Sequence, residues 1–156
     1  MYSMEAIAGW MLNNIDGVTN KKLQKLMYYA YAWYLVLFNE SAEDLQNRLF
    51  VAKFEAWVHG PVIPELYQEL KTYHSDIIPK NRFDTFKSAE IDPDTEDLLK
   101  QIQSVYGKYN GNELESITHQ ETPWQNARKG CSAYDICNEL ITDKDMFTYY
   151  IQRLNT

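Results

Sequence analysis

A chain of 156 residues with a formal net charge of −7 fits one domain, and a domain of this length buries roughly 70% of the surface its unfolded chain exposes. With 15 Lys and Arg against 22 Asp and Glu, a dedicated nucleic-acid surface is not expected, because phosphate binding draws on clustered cations to displace counterions; a basic partner suits the balance better. No apolar run approaches the roughly 18 residues that span a bilayer, and no basic segment precedes the first apolar stretch, so the expectation is a cytoplasmic protein without a membrane partner.

The first helix is expected over Met4 to Asn14, where Ile7, Ala8, Met11 and Leu12 recur at helical spacing until Asp16-Gly17. Thr19 can cap a second helix that carries Leu23, Leu26, Met27, Ala30 and Tyr34 on one stripe and Tyr28, Tyr31, Leu35 and Val36 on the other. A helix apolar nearly all round belongs in the centre of a bundle, with its tyrosine hydroxyls reaching polar partners. Phe54, Ala56 and Val58 then alternate with Glu55, Trp57 and His59 as in a strand that Gly60-Pro61 ends. Pro64 and Glu65 start a third helix bearing Leu66, Tyr67 and Leu70.

Residues 74–92 have no helical period, and Arg82 to Lys87 alternates well enough for a short strand pairing with Phe54 to Val58. Asp92-Pro93 opens a helix on Leu98, Leu99, Ile102, Val105 and Tyr106 that Gly107 ends. Asn110 with Glu113 approximates a capping box, and Thr122 as cap with Pro123 and Gln125 starts another helix, which Gly130 closes. Thr142 caps the last, with Met146, Phe147, Tyr150, Ile151 and Leu154 facing inward. The expected fold is mainly α, a compact bundle of about six to seven helices with a short two-stranded β-ribbon around 54–58 and 82–87. With no internal repeat, low-complexity tract or linker, residues 1–156 are expected to form a single domain.

Four segments, KLQKLMYYAYAWYL (Lys22 to Leu35), FEAWVHGPVIPELYQEL (Phe54 to Leu70), THQETPW (Thr118 to Trp124) and DKDMFTYY (Asp143 to Tyr150), resemble the Panacea antitoxin domain family, from about Ile7 to Tyr150 and in the family's order. The resemblance implies a bacterial or phage-borne antitoxin that neutralises a cognate toxin by direct binding and catalyses nothing. It points to Glu55, Trp57, His59, Gly60, Pro61, Tyr67, His119, Glu121 and Trp124 as signature or toxin-interface residues. The toxin would be encoded by an adjacent gene. With about six residues before Ile7 and six after Tyr150, DNA binding by this chain alone is not expected.

Read from the residues alone, the signature is a tight strand-to-helix corner with His59 hydrogen-bonded into the core beside His119 and Trp124. Such a corner can equally display a binding loop, and Trp and Tyr are frequent interface anchors. A small hydrolase is the alternative from another class, since His59 and His119 each lie near a carboxylate in sequence, Glu55 and Glu121. A phage-encoded regulator of a host protein is the third. No His-Glu-x-x-His or paired histidine spacing supports a metal, and no Gly-rich loop or Gly-x-Ser-x-Gly elbow supports a cofactor or nucleophile. Cys131 and Cys137 lack Cys-x-x-Cys spacing and are expected to be reduced and structural.

Overall fold

The computed structural model describes residues 1–86 and 90–154. In chain order the elements are α1 (Met4–Asn14), α2 (Asn20–Phe38), β1 (Phe54–Trp57), β2 (Gly60–Val62), α3 (Pro64–Leu70), a 3₁₀ turn (Lys71–Tyr73), a second (Asp84–Phe86), α4 (Pro93–Tyr106), α5 (Gly111–His119), α6 (Thr122–Ala127), β3 (Leu140–Ile141) and α7 (Asp143–Arg153). The molecule is mainly α with a small antiparallel sheet.

The helix starts follow the local chemistry. Ser3, Thr19, Asp92 and Thr142 each accept a hydrogen bond from a first-turn amide, and Asn110 and Glu113 form a reciprocal capping box. Pro64 and Pro93 occupy the first helical position of α3 and α4, where a missing N–H costs nothing. At α6 the boundary lies one residue earlier than expected: Glu121 is the cap residue, and Thr122 already belongs to the helix.

α2 is the central helix, packed by α1, α4, α5, α7 and β2. Tyr28, Tyr29 and Tyr31 are at most 1% exposed, as expected for a helix apolar on both sides. Their hydroxyls are satisfied: Tyr29 donates to Glu121, Tyr31 donates to Asp143, and Tyr28 shares a hydrogen bond with the Tyr150 hydroxyl, whose own proton goes to Glu121. On α7 the inner face is Met146, Phe147 and Tyr150, whereas Ile151 is only half-buried and Leu154 is exposed.

The sheet corrects the expected ribbon. β1 pairs with β2 on one side (Trp57 opposite Gly60, Ala56 opposite Pro61) and with β3 on the other (Phe54 opposite Ile141). Gly60-Pro61 does not end the strand but begins its hairpin partner, across a turn at Val58-His59. Residues 82–86 form no strand; Asp84–Phe86 is a 3₁₀ turn, and Lys87 lies outside the described residues. Phe83 is instead buried against Gly9 of α1, so the alternation around it records one anchoring side chain. Both edges of β1 are taken, by β2 and by β3, which leaves no edge for residues 82–86 to pair with. Pro61 is tolerated because β2 is an edge strand, and α2 covers that edge: Lys25 Nζ donates to Pro61 O and Ile63 N donates to Gln24 Oε1.

The cysteines are not reduced. Cys131 and Cys137 form a disulfide that closes a short loop carrying the exposed Tyr134 and Ile136. Their separation excluded a Cys-x-x-Cys motif but not a bridge, which depends on how the chain turns between them.

Candidate functional site: a hairpin over a buried lysine

Lys25 enters α2 among Leu23, Leu26 and Met27, and the helix carries it to the inside, where it is 1% exposed. Its ammonium lies beneath the β1–β2 hairpin. Gly60 sits directly above at φ +106°, and a Cβ there would stand 2.6 Å from Lys25 Cε and 3.0 Å from Thr118 Oγ1. Two requirements therefore coincide at Gly60, a backbone region that L side chains rarely adopt and a space that a buried side chain already fills. Burial pulls the Lys25 ammonium down to about 7, with the nearby Lys21 charge acting in the same direction and Glu115 opposing both.

Eight of the nine signature residues gather on this hairpin and the helices that hold it. Trp57 packs edge-on against Tyr67 of α3 with ring centroids 5.0 Å apart, and its indole N–H donates to Glu55. Trp124 of α6 donates to Trp57 O and stacks on His119, centroids 4.0 Å apart. His59 does not enter the core as expected. It stands on the hairpin turn, largely exposed, with Nδ1 3.1 Å from Glu115 Oε2. The reason is the two-residue turn, which points its residues outward.

Glu121 is the exception. It is 4% exposed and turned into the tyrosine cluster, accepting from Tyr29 and Tyr150 at 2.7 Å each. Burial raises its pKa above the ordinary carboxylate range, against the two tyrosine hydroxyls, which act to lower it.

The histidine–carboxylate pairs suggested by sequence proximity do not form. His59 and His119 both converge on Glu115, the latter at 4.0 Å across one turn of α5. Burial acts to raise the Glu115 pKa, but Lys21, at 2.5 Å, and His59 outweigh it and hold the carboxyl below its usual range. Burial lowers the pKa of His119, and its Nε2 has no hydrogen-bond partner among the described residues. Of the four residues of the hydrolase reading, the two histidines face Glu115, Glu55 accepts from the Trp57 indole and Glu121 is buried among tyrosine hydroxyls. Among the described residues, no group of three or more His, Cys, Asp or Glu is placed to hold a metal ion.

Sequence reasoning missed Lys25, Glu115 and Arg128. Lys25 left a faint signal, a lysine beside Leu26 and Met27 at the apolar stretch of a central helix that also carries Lys21 and Lys22. Arg128 is 6% exposed and donates to Ala56 O of β1 and to Ser132 O and Asp135 O of the disulfide loop. Arg128→Ala is expected to cost about 2–4 kcal/mol, because three buried or part-buried carbonyls lose their donor together. Urea denaturation measures it, and a change below about 1 kcal/mol would show that water replaces the guanidinium.

Comparison with known proteins joins these features to a family. The family model described as "Antitoxin SocA-like, Panacea domain" matches residues 23–125, the span from α2 through most of α6. This chain belongs to that family. The hairpin, Lys25, Glu115 and the His119–Trp124 stack are therefore features of its Panacea domain, while Arg128, the disulfide loop, β3 and α7 lie beyond the matched span. "Antitoxin SocA" of Caulobacter vibrioides (strain NA1000 / CB15N) is 25% identical over 146 residues, covering 83% of this chain and 73% of that protein. No solved structure matches. No helix among the described residues is long and apolar enough to cross a membrane.

Proposed function

We propose that this protein is an antitoxin that neutralises a cognate toxin, encoded by an adjacent gene, by direct protein–protein binding and without catalysis. Membership of the antitoxin family carries this reading. The signature supports it in physical terms. The hairpin is held by Lys25, Trp124 and Arg128 from behind, and it offers His59 and part of Trp57 to the outside. A rigid scaffold displaying an aromatic side chain is suited to an interface centre, because little side-chain entropy remains to be lost on binding. The described residues around both histidines offer no hydroxyl or thiol paired to a base, so hydrolysis lacks support.

Co-expression tests it. The small reading frame adjacent to this gene should be lethal alone and harmless together with this protein, and the two should co-purify. Trp57→Ala should then speed dissociation about tenfold or more in surface plasmon resonance, with the fold retained by circular dichroism. Trp57 is a better probe than Trp124, whose indole also holds the hairpin. If the adjacent product binds nothing here and a host protein co-purifies instead, the regulator reading replaces this one.

A further inference from the structure

A groove of about 590 Å³ runs between the N-termini of α2 and α5 and the face of the hairpin. That volume lies within the range of specific binding sites. Its lining is basic and aromatic. Lys21, Lys25, Lys71, His59 and His74 line it beside Trp57, and no Asp or Glu is among its lining residues, although acids outnumber Lys and Arg by seven overall. The first turns of α2, at Thr19 to Lys21, and of α5, at Asn110 to Asn112, both border it. Each brings the positive end of a helix dipole.

A second observation comes from beneath the groove. Lys25 Nζ makes one hydrogen bond, to Pro61 O at 3.1 Å, so two of its three donors have no partner among the described residues. A buried ammonium is costly unless paired, yet the nearby Glu115 is already engaged by Lys21 and His59. Lys71 on the groove's other side is exposed and in no ion pair among the described residues. On the rim His74 holds φ +53° and ψ −123°, a conformation rare outside glycine.

We propose that this groove receives a carboxylate of an acidic segment of the partner, with the carboxylate set between Lys25 and Lys71 and its flanking apolar atoms against Trp57. The partner's identity as a toxin rests on the antitoxin reading; the chemistry rests on the groove. A carboxylate is favoured over a phosphate because the groove has neither an arginine fork nor a glycine-rich backbone cradle. The whole-chain charge still favours basic surface elsewhere on the partner, so the acidic segment is a local key rather than the whole interface.

NMR titration of the full-length ¹⁵N-labelled protein with hexaglutamate tests the chemistry, with hexalysine, inorganic phosphate and ATP as comparisons. Hexaglutamate should shift the Trp57 indole and the Asn112 amide saturably, hexalysine should not, and Lys25→Met should abolish the shift while circular dichroism stays native. Lys71→Glu should weaken both hexaglutamate and toxin binding about tenfold or more. Equal responses to hexaglutamate and hexalysine overturn the proposal, and tighter saturation by phosphate or ATP makes this a phosphate site instead. If no toxin binds the native protein, the antitoxin reading falls while the peptide titration still decides the groove. A toxin that binds Lys71→Glu as well as the native chain removes the groove from the interface.

Discussion

Gly60→Val is expected to cost about 3 kcal/mol or more, which at roughly 2–4 °C per kcal/mol for a chain of this size lowers Tm by about 10 °C. Three effects act together. The backbone there is at φ +106°, where a β-branched side chain is strained. The residue also precedes Pro61, which restricts it further. Finally, a Cβ would stand 2.6 Å from Lys25 Cε, and Lys25, 1% exposed, has little room to move aside. Gly60→Ala separates the terms, since it keeps the strain and the Lys25 contact but drops the branching. Thermal melts by circular dichroism measure both variants, and an unchanged Tm for Gly60→Val would mean that the hairpin rearranges freely and does not press on Lys25.

The second large effect concerns Lys25 itself. Its folded pKa is pulled down to about 7 from the ordinary 10.5, first by burial and then by Lys21. Between these values the unfolded chain binds the proton more strongly than the folded one, so stability should rise with pH across that window and the penalty is fully present below it. The gap corresponds to on the order of 5 kcal/mol, of which most is still present at pH 7. Lys25→Met, of similar length and apolar, should remove the rise between pH 7 and 9.5 and be more stable than the native protein at pH 7 by on the order of 3 kcal/mol, after loss of the bond to Pro61 O. Above about pH 10 the buried Tyr28, Tyr29 and Tyr150, whose pKa values burial raises, favour the unfolded state, so the comparison belongs below that limit. Urea midpoints at pH 7 and 9.5 decide it: a destabilised Lys25→Met at pH 7, with the alkaline gain still present, would show that the ammonium stays charged and well paired. If the groove inference is right, the same substitution gains stability and loses the acidic ligand, a trade expected where a binding site keeps a poorly satisfied charge.

What the amino-acid sequence determined by itself is what short-range chemistry controls. The caps at Thr19, Asp92, Asn110 and Thr142, the prolines at 64 and 93, and the two-sided apolar character of α2 each place an element through contacts within about one helical turn. The four signature segments carried the family resemblance for the same reason: they are contiguous stretches, and the matched span confirms the membership. What only the tertiary structure decided lies in pairings between distant residues. The alternation at 54–58 announced a strand but could not name β2 and β3 as its partners, because period two is satisfied by any neighbour. His59 and His119 meet Glu115 and not their sequence neighbours, since a turn and a helix face reset which carboxylate is near. The Cys131–Cys137 bridge depends on a loop geometry that spacing does not encode. Lys25 is the sharpest case: its place among apolar residues was visible, but its burial beneath Gly60 required two segments some 35 residues apart to close on each other. A charge gains its function from the groups that surround it, and those come together only when the chain folds.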